Sequence, residues 1–465
     1  MKTRFILKVL VGCILLLVLS ACSRRNHYED ILESKQESES LAALPETNEP
    51  GGNITGENAP DYETPTILKT GNAPFYEGKT MEDLQKIYRS TGKTDFYTDV
   101  ILPSGRLYKN QHFYNKLTGN FSNWCSDPLC DGKDCIWNDV SLFQYISENH
   151  IYFMAANSSR DSYAIYRCDL NRNNIEKVAD VASSKEQIDE NSYWITIDEI
   201  QVVYEKDHCV YYRQTNYDKQ KSIKSLYVLD MNTGESRLLS GDAAIELLWI
   251  VNDTVFYSVT ENYYGILKTD LNFSKSEPFW ENASIDQYND QYLIIQLYEN
   301  YIPTTTRYVY NLYTGKTIQL DVRGTVFLSG DYVYYTRHLT EEEIANDPQK
   351  DYYTFTWEES DGLPGSVPFE MDAGTKGAGK VYRLRLDQDN APEETVFQMT
   401  YKGVPIRIES FEMDGEVMYF TFHNYEGFKN FYNQDFDENE SETCYYGMVD
   451  FHNGTVTILE FPEEG

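Results

Sequence analysis

From about residue 95 onward, the chain repeats one pattern of apolar and polar positions. Each copy has an apolar or aromatic strand, an Asp or Asn, a short turn and a second short apolar strand. The clearest copies lie at residues 226–234 and 266–272. Short apolar runs bounded by turn residues predict β-strands. The marker residues that end the first strand of each copy are Asn115, Asp169, Asp230, Asp270, Asn311, Asp387 and Asp450.

A second, very apolar strand precedes most copies and follows a polar turn. Continuous apolar runs of this length predict strands that are buried on both faces. We therefore expect them to be the inner strands of successive small sheets. The clearest examples are residues 149–153, 207–212, 252–257, 330–335 and 414–420.

The marker residues predict the architecture through their spacing. The steps from Asp230 to Asp270 and from Asp270 to Asn311 are near the length of one four-stranded propeller blade. A single meandering sheet cannot bury both faces, whereas a closed ring of sheets can. The sequence therefore predicts an all-β chain with a β-propeller of about seven blades. Six or eight blades remain open because the first and sixth copies are irregular, and a pair of β-sandwiches or an open solenoid is the alternative.

The first 22 residues have the features of an export signal. Basic residues at positions 2, 4 and 8 precede an apolar run at 9–19, which is too short to span a bilayer comfortably. The run ends in Leu19, Ser20, Ala21 and Cys22, which resembles the lipobox of bacterial lipoproteins. That resemblance implies a signal peptide at 1–21, lipidation of Cys22 and a location on the outer face of the cell membrane. The alternative is an ordinary secretory signal or a membrane anchor with a chance Cys.

A polar segment separates the export signal from the repeats. Residues 22–75 are rich in Glu, Asn, Ser, Pro and Gly, which is typical of a disordered linker. We place the propeller domain at 76–465. At its start, Thr80 and Asp83 form a capping pair that predicts a short helix over 80–89.

The composition excludes one class of partner. The chain has 40 Lys and Arg against 74 Asp and Glu, which gives a formal net charge of −34. Such a surface repels phosphate backbones, so we expect no nucleic-acid partner. It also repels anionic lipid heads, so we expect the membrane to be reached through the lipid on Cys22 alone.

The repeats resemble those of surface lipoproteins from clostridia and related Gram-positive bacteria, whose propeller domain has no assigned function. Their blades are similar to those of TolB and of low-density-lipoprotein-receptor propellers. The resemblance covers about residue 95 to the end, and it implies a fold and a location rather than an activity.

Three cysteines lie close together after the first repeat. The segment containing Cys125, Cys130 and Cys135 resembles one in the same family, where a His is commonly bracketed by the Cys residues; here Gly132 occupies that position. Three thiolates and a His would suit zinc. Without the His, a local disulfide, a weak metal cluster and unbonded structural cysteines all remain open.

A long insertion at 337–380 is a candidate ligand loop, since long loops inside a repeat are often functional. Its aromatic residues beside carboxylates would suit a sugar or a cationic ligand, although a solvated decoration is the alternative. The candidate residues are Tyr352, Tyr353, Trp357, Glu358 and Glu359. A second insertion has Asp435, Asp437 and Asn439 in alternation, but positions 440 and 446 do not fit a calcium loop.

No enzyme signature is present: the chain has no HExxH and no GxSxG motif. We therefore predict no catalytic residue, metal or cofactor, and a propeller that binds an extracytoplasmic protein or glycan. The alternative is a glycan-active hydrolase or lyase with carboxylates in the propeller channel, and a third is an accessory subunit of an envelope complex. Two convergent carboxylates in the channel would favour hydrolysis.

Overall fold

A computed structural model gives the structure of the chain. The described residues are 66–68, 71–93, 100–108, 112–125, 135–157, 162–181, 183–187, 193–197, 199–218, 221–241, 244–259, 262–322, 324–337, 339–346, 356–359, 369–372, 379–401, 404–424 and 444–461. All of them belong to one compact unit, Asp61–Gly465.

Seven antiparallel sheets follow one another along the chain and form a propeller ring, so the predicted fold and the predicted seven blades are confirmed. Within each sheet the strands pair in chain order. Blade 1 contains β2 (Val100–Leu102), β3 (Gly105–Leu107), β4 (His112–Asn115) and β5 (Phe121–Asn123). Blade 2 contains β6 (Val140–Ile146), β7 (His150–Ala156), β8 (Tyr163–Asp169) and β9 (Glu176–Val181). Blade 3 contains β12 (Ile200–Lys206), β13 (Cys209–Asp218), β14 (Lys221–Asp230) and β15 (Ser236–Leu238). Blade 4 contains β16 (Ile245–Val251), β17 (Thr254–Val259), β18 (Asn262–Asp270) and β19 (Glu277–Trp280).

The other three blades repeat this order. Blade 5 contains β20 (Ala283–Tyr288), β21 (Tyr292–Glu299), β22 (Ile302–Asn311) and β23 (Thr317–Asp321). Blade 6 contains β24 (Val326–Ser329), β25 (Tyr332–Tyr335), β28 (Lys380–Arg385) and β29 (Glu394–Gln398). Blade 7 contains β31 (Val404–Asp414), β32 (Val417–Asn424), β33 (Tyr445–Asp450) and β34 (Thr455–Leu459), with the short β30 (Thr400–Tyr401) beside β31. Two hairpins lie outside the blades: β10 (Ser183–Gln187) with β11 (Tyr193–Ile197), and β26 (Thr356–Glu359) with β27 (Phe369–Asp372).

The marker Asp and Asn residues end the third strand of each blade or, for Asp387, follow it closely. Their side chains hold the next turn: Oδ1 of Asp230 accepts hydrogen bonds from the backbone N–H of Asn232 and Thr233 at 2.8 and 3.3 Å. Oδ1 of Asn311 binds the turn of blade 5 in the same way. The repeat visible in the sequence is therefore a turn motif, which explains why it marks every blade.

One expectation about the strands needs correction. The very apolar strands predicted to be inner strands are β7, β13, β17, β25 and β32, and each is the second strand of its blade. The first strands are the innermost, because those of blades 2 to 7 contact one another around the axis. A second strand has a neighbouring strand on each side and a packed blade on each face, so it is the more apolar of the two.

The chain enters the propeller before residue 76, where the sequence analysis places the domain boundary. Strand β1 (Thr66–Leu68) pairs in parallel with β34 at the outer edge of blade 7. A 3-10 helix (Pro74–Tyr76) and helix α1 (Met81–Ser90) follow. The predicted capping pair is confirmed, because Thr80 caps α1 and exchanges hydrogen bonds with Asp83. A second short helix, α2 (Glu341–Asn346), lies in the long connection of blade 6. No helix in the described part of the chain is long and apolar enough to cross a bilayer.

Hydrophobic clusters fill the space between neighbouring blades, as expected for a ring of two-sided sheets. No strand of blade 1 pairs with a strand of blade 7, so side chains join these two blades in addition to the backbone pairing of β1 with β34. Tyr108 packs edge-on against Tyr446 at 5.4 Å between ring centres. Buried Arg106 pairs with Glu412 at 2.6 Å, and buried Lys116 pairs with Asp414 at 2.8 Å.

Candidate functional site

The two faces of the ring carry different connections. Because the strands of each blade are antiparallel, the turns after the first and third strands lie on one face. The turns after the second strands and the connections between blades lie on the other. We call the first the helix face, since α1 lies on it, and the second the insertion face. The long connections 124–139, 182–199, 336–379 and 425–444 all start and end at the insertion face.

The segment around α1 closes the helix face. It binds the first turns of blades 5 and 6: the carbonyl oxygen of Ser90 accepts hydrogen bonds from Nδ2 of Asn289 at 2.9 Å and from the backbone N–H of Gly330 at 2.8 Å. It also reaches blade 7, where the Tyr76 hydroxyl donates to Asp414 at 2.6 Å. Arg89 forms an exposed ion pair with Glu148 in the first turn of blade 2. The helix face is therefore occupied by the chain's own N-terminal segment.

Aromatic side chains meet under this segment. Tyr88 of α1 is buried, and Nζ of Lys93 lies 5.7 Å from its ring centre and 6.0 Å from that of Tyr288. Burial raises the pKa of Tyr145, and the nearby Tyr288 and Tyr88 raise it further. Tyr145 belongs to blade 2 and Tyr288 to blade 5, on opposite sides of the ring.

Every carboxylate on the described innermost strands has a cationic partner. Lys224 pairs with Glu246 at 2.7 Å and Arg307 with Asp286 at 3.4 Å. The other pairs are Arg167 with Glu205, Arg407 with Glu409, Arg106 with Glu412 and Lys116 with Asp414. A general acid must keep its proton near neutral pH, whereas a neighbouring cation favours the charged carboxylate. Each carboxylate on the described innermost strands is therefore held in an ion pair. Asp290, in the first turn of blade 5, differs, because burial raises the pKa of its carboxyl.

Four tyrosines, two exposed and two half-buried, form a cluster on the insertion face at blades 4 and 5. Tyr263 and Tyr264 lie at the start of β18, and Tyr298 lies at the end of β21. The rings of Tyr264 and Tyr298 stack at 4.1 Å, and those of Tyr263 and Tyr301 lie 4.7 and 5.8 Å from Tyr264. We call these four residues the tyrosine cluster. Tyr301 is 81% exposed, and the adjacent Ile302 is 67% exposed.

The turn that presents Tyr301 is strained. Asn300 and Tyr301 are the two central residues of the hairpin between β21 and β22, and their φ angles are 49° and 67°. Such a two-residue turn favours Asn followed by Gly, because a side chain at positive φ crowds the backbone. A bulky, solvent-exposed Tyr at this position has a conformational cost without a burial gain. The pairs Asp207–His208 and Asn252–Asp253 have the same left-handed conformation, so this turn is distinguished by the exposed ring that it carries.

Four carboxylates and three cations lie around the tyrosine cluster. Arg213 donates to the backbone oxygen of Glu246 and to Gln201, both at 2.8 Å. Lys224 and Arg307 are engaged in the ion pairs given above. Glu281 and Glu299 are exposed, and neither is ion-paired with a described residue. Burial raises the pKa of Tyr263, and the Glu246 carboxylate raises it further, so this hydroxyl is neutral at neutral pH.

The residues predicted from the sequence are not part of the tyrosine cluster. Cys125 and Cys135 both pack against the hydrophobic cluster of blades 1 and 2, but Cys130 lies outside the described residues, so the predicted state of the three stays a prediction. Within the described ranges, no group of His, Cys, Asp and Glu is arranged to hold a metal ion. In the candidate ligand loop, Trp357, Glu358 and Glu359 belong to strand β26, of which only the backbone is described. The other predicted site residues lie outside the described residues: Tyr352, Tyr353, Cys22, Asp435, Asp437 and Asn439.

Sequence patterns alone do not predict the tyrosine cluster. Its four residues come from two blades, and their contacts depend on the ring. One local signal was available: residues 299–302 join two strong strands through Asn and Tyr, where a hairpin turn favours Asn and Gly.

Comparisons with known proteins support no closer identification. No family model and no curated protein matches the chain. Similar solved structures include a prolyl endopeptidase, with 12% identity over 69% of this chain and 41% of that one, at a TM-score of 0.42. An oligogalacturonate lyase in complex with manganese has 12% identity over 77% of this chain and 92% of that one, at a TM-score of 0.40. The β-propeller domain of the trilobed protease from Pyrococcus furiosus has 13% identity over 55% of this chain and 70% of that one, at a TM-score of 0.31. The chain spans less than half the length of the prolyl endopeptidase.

Proposed function

We propose that the protein is an extracytoplasmic lipoprotein whose propeller binds a partner through its insertion face. The difference between the two faces carries this proposal. The N-terminal segment occupies the helix face, whereas the insertion face has all the long connections and the exposed tyrosine cluster. Rigid blades that present variable loops on one face are a common scaffold for binding.

Binding is favoured over glycan hydrolysis by the channel carboxylates. Each one on the described innermost strands is paired with Lys or Arg. Burial raises the pKa of Glu205, but hydrogen bonds from His150 and Ser147 outweigh this effect and lower it overall. These carboxylates serve the structure as partners in ion pairs. Ion-paired carboxylates on the innermost strands suit a rigid ring that presents the insertion face for binding.

The proposed location at the membrane rests on the lipobox-like sequence ending at Cys22 and on the polar segment that follows it. A lipid on Cys22 would keep the propeller at the membrane, and the linker would give it reach. Each buried methylene of an acyl chain contributes about 0.8 kcal/mol to anchoring. The matched test compares Cys22→Ala with the wild-type chain by cell fractionation and mass analysis. Loss of acylation and release from membranes are expected; retention of the variant in the membrane would contradict the lipid anchor.

Site-directed photo-crosslinking tests the binding face. A photoreactive residue replaces Tyr301 on the insertion face or, as the matched control, Tyr313 on the helix face. Tyr313 is 72% exposed and lies in the turn after the third strand of blade 5. In the native envelope we expect crosslinks from position 301 and none from position 313. Crosslinks from position 313 alone would refute the proposed face.

A further inference from the structure

We propose that the tyrosine cluster binds cationic side chains, and that its partner is a protein segment bearing Arg or Lys. This inference rests on the proposed function and adds the chemistry of the partner. It depends on three observations: the exposed tyrosine rings, the excess of carboxylates around them and the exposed Ile302 beside them.

The first observation concerns the rings themselves. A cation over an aromatic face is attracted by the negative face of the ring. This protein uses that contact inside blade 6, where the guanidinium of Arg337 lies 4.1 Å from the ring centre of Tyr382. A second contact of this kind places the guanidinium of Arg383 4.8 Å from the ring centre of Tyr332. Among the described residues, no cation lies over any ring of the tyrosine cluster, so these rings remain available to a cation from outside.

The second observation is charge complementarity. The chain has a net charge of −34, which attracts cationic partners and repels anionic ones. Glu281 lies near the tyrosine cluster, because the next residue, Asn282, is bonded to Tyr298. The backbone oxygen of Asn282 accepts a hydrogen bond from the N–H of Tyr298 at 2.8 Å. Glu299 belongs to the strained hairpin itself. Lys224 and Arg307 are held in ion pairs and Arg213 donates to neutral acceptors, whereas Glu281 and Glu299 form no ion pair with a described residue.

The third observation separates a protein partner from other cationic ligands. The tyrosine cluster continues into Ile302, which is 67% exposed. Tyrosines beside an exposed aliphatic side chain are typical of the centre of a protein interface. An Arg side chain fits this surface well, because its planar head stacks on an aromatic ring while its edge pairs with a carboxylate.

Binding of a defined probe to the full chain tests the inference. The probe is a capped tetra-arginine peptide, and its neutral control is the same peptide with citrulline at every position. Chitotetraose serves as a glycan probe. Affinities are measured by calorimetry at about 0.15 M salt, where long-range attraction between exposed charges is screened. We expect binding of tetra-arginine, with citrulline peptide and chitotetraose much weaker.

Two variants of equal charge locate the site. Tyr301→Gly removes the most exposed ring and is expected to weaken tetra-arginine binding by about tenfold or more, as for an interface hot spot. His208→Gly is the matched control: His208 also lies at positive φ in a two-residue turn, but on the helix face. It should leave the affinity unchanged.

Two results would overturn the inference: equal affinity of tetra-arginine for Tyr301→Gly and the wild-type chain, or chitotetraose binding that Tyr301→Gly abolishes. Failure here is distinguishable from failure of the proposed function. If the chemistry is wrong but the face is right, crosslinks from position 301 persist in the envelope.

Discussion

Replacement of Lys116 by Met is predicted to destabilise the propeller strongly, because Lys116 joins the two ends of the ring. Its ammonium pairs with Asp414 of blade 7 at 2.8 Å and donates to the backbone oxygen of Leu102 in blade 1 at 2.6 Å. The same carboxylate accepts the hydroxyl of Tyr76 from the N-terminal segment. The side chains of Lys116 and Asp414 are 0% and 1% exposed. Blade 1, blade 7 and the N-terminal segment therefore share one buried polar network.

The magnitude follows from burial. Met fills much of the space of Lys but leaves the Asp414 carboxylate without a counter-ion. Removing one partner of a buried ion pair costs about 3–5 kcal/mol. For about 400 folded residues, with an unfolding entropy of about 2.1 cal/mol/K per residue, this corresponds to a fall of roughly 4–6 °C in Tm.

A double-mutant cycle separates the ion pair from simple packing loss. Thermal unfolding is measured for Lys116→Met, Asp414→Leu and the double variant. The double variant should be clearly more stable than the sum of the two single effects predicts, since it leaves no uncompensated charge. Lys177→Met is the control, because the exposed pair of Lys177 and Asp180 should contribute nothing measurable. A change of less than about 1 °C for Lys116→Met would refute the reasoning.

Three further predictions concern single residues. Tyr301→Gly should leave stability unchanged or raise it by up to about 1 kcal/mol in urea unfolding, because relief of the left-handed strain offsets the lost ring contact; a clear loss would make Tyr301 structural. Thr80→Ala should cost about 1 kcal/mol by the same measurement, whereas Thr80→Ser should restore the cap. Glu343 should hold α2 in place at neutral pH: burial raises the pKa of its carboxyl, but hydrogen bonds from Arg337 and Thr340 outweigh this and lower the pKa to about 2. Because the pKa is depressed, this stabilisation is complete above about pH 4.5 and is lost as the pH falls towards 2. Proteolysis near α2 in the wild-type chain should therefore increase as the pH falls over that interval. In Glu343→Gln the rate of proteolysis near α2 should not depend on pH over the same interval.

The repeat and the helix cap could be predicted from the sequence because their chemistry is local. Asp230 and its counterparts bind the backbone of the next few residues, and Thr80 binds Asp83 within one helical turn. The order of the strands within a blade is harder to predict from the sequence, because apolar content depends on burial and not on distance from the propeller axis. A very apolar strand is therefore buried within its sheet without being the strand nearest the axis.

The tyrosine cluster could not be predicted, because ring geometry brings Tyr263 and Tyr264 of blade 4 beside Tyr298 of blade 5. The closing contacts of the N-terminal segment are hidden for the same reason. Tyr76 and Asp414 are 338 residues apart in the chain. No local pattern records their hydrogen bond, although the folded ring depends on it.

The central claim is that the insertion face is the surface that meets the partner. Hydrogen exchange of the full chain, measured with and without detergent-solubilised native envelope, tests it directly. The account predicts slower exchange of backbone amides at residues 262–264 and 298–302, and no change in the helix-face turns at 207–209 and 311–316. Protection of the helix-face turns without protection around the tyrosine cluster would contradict it.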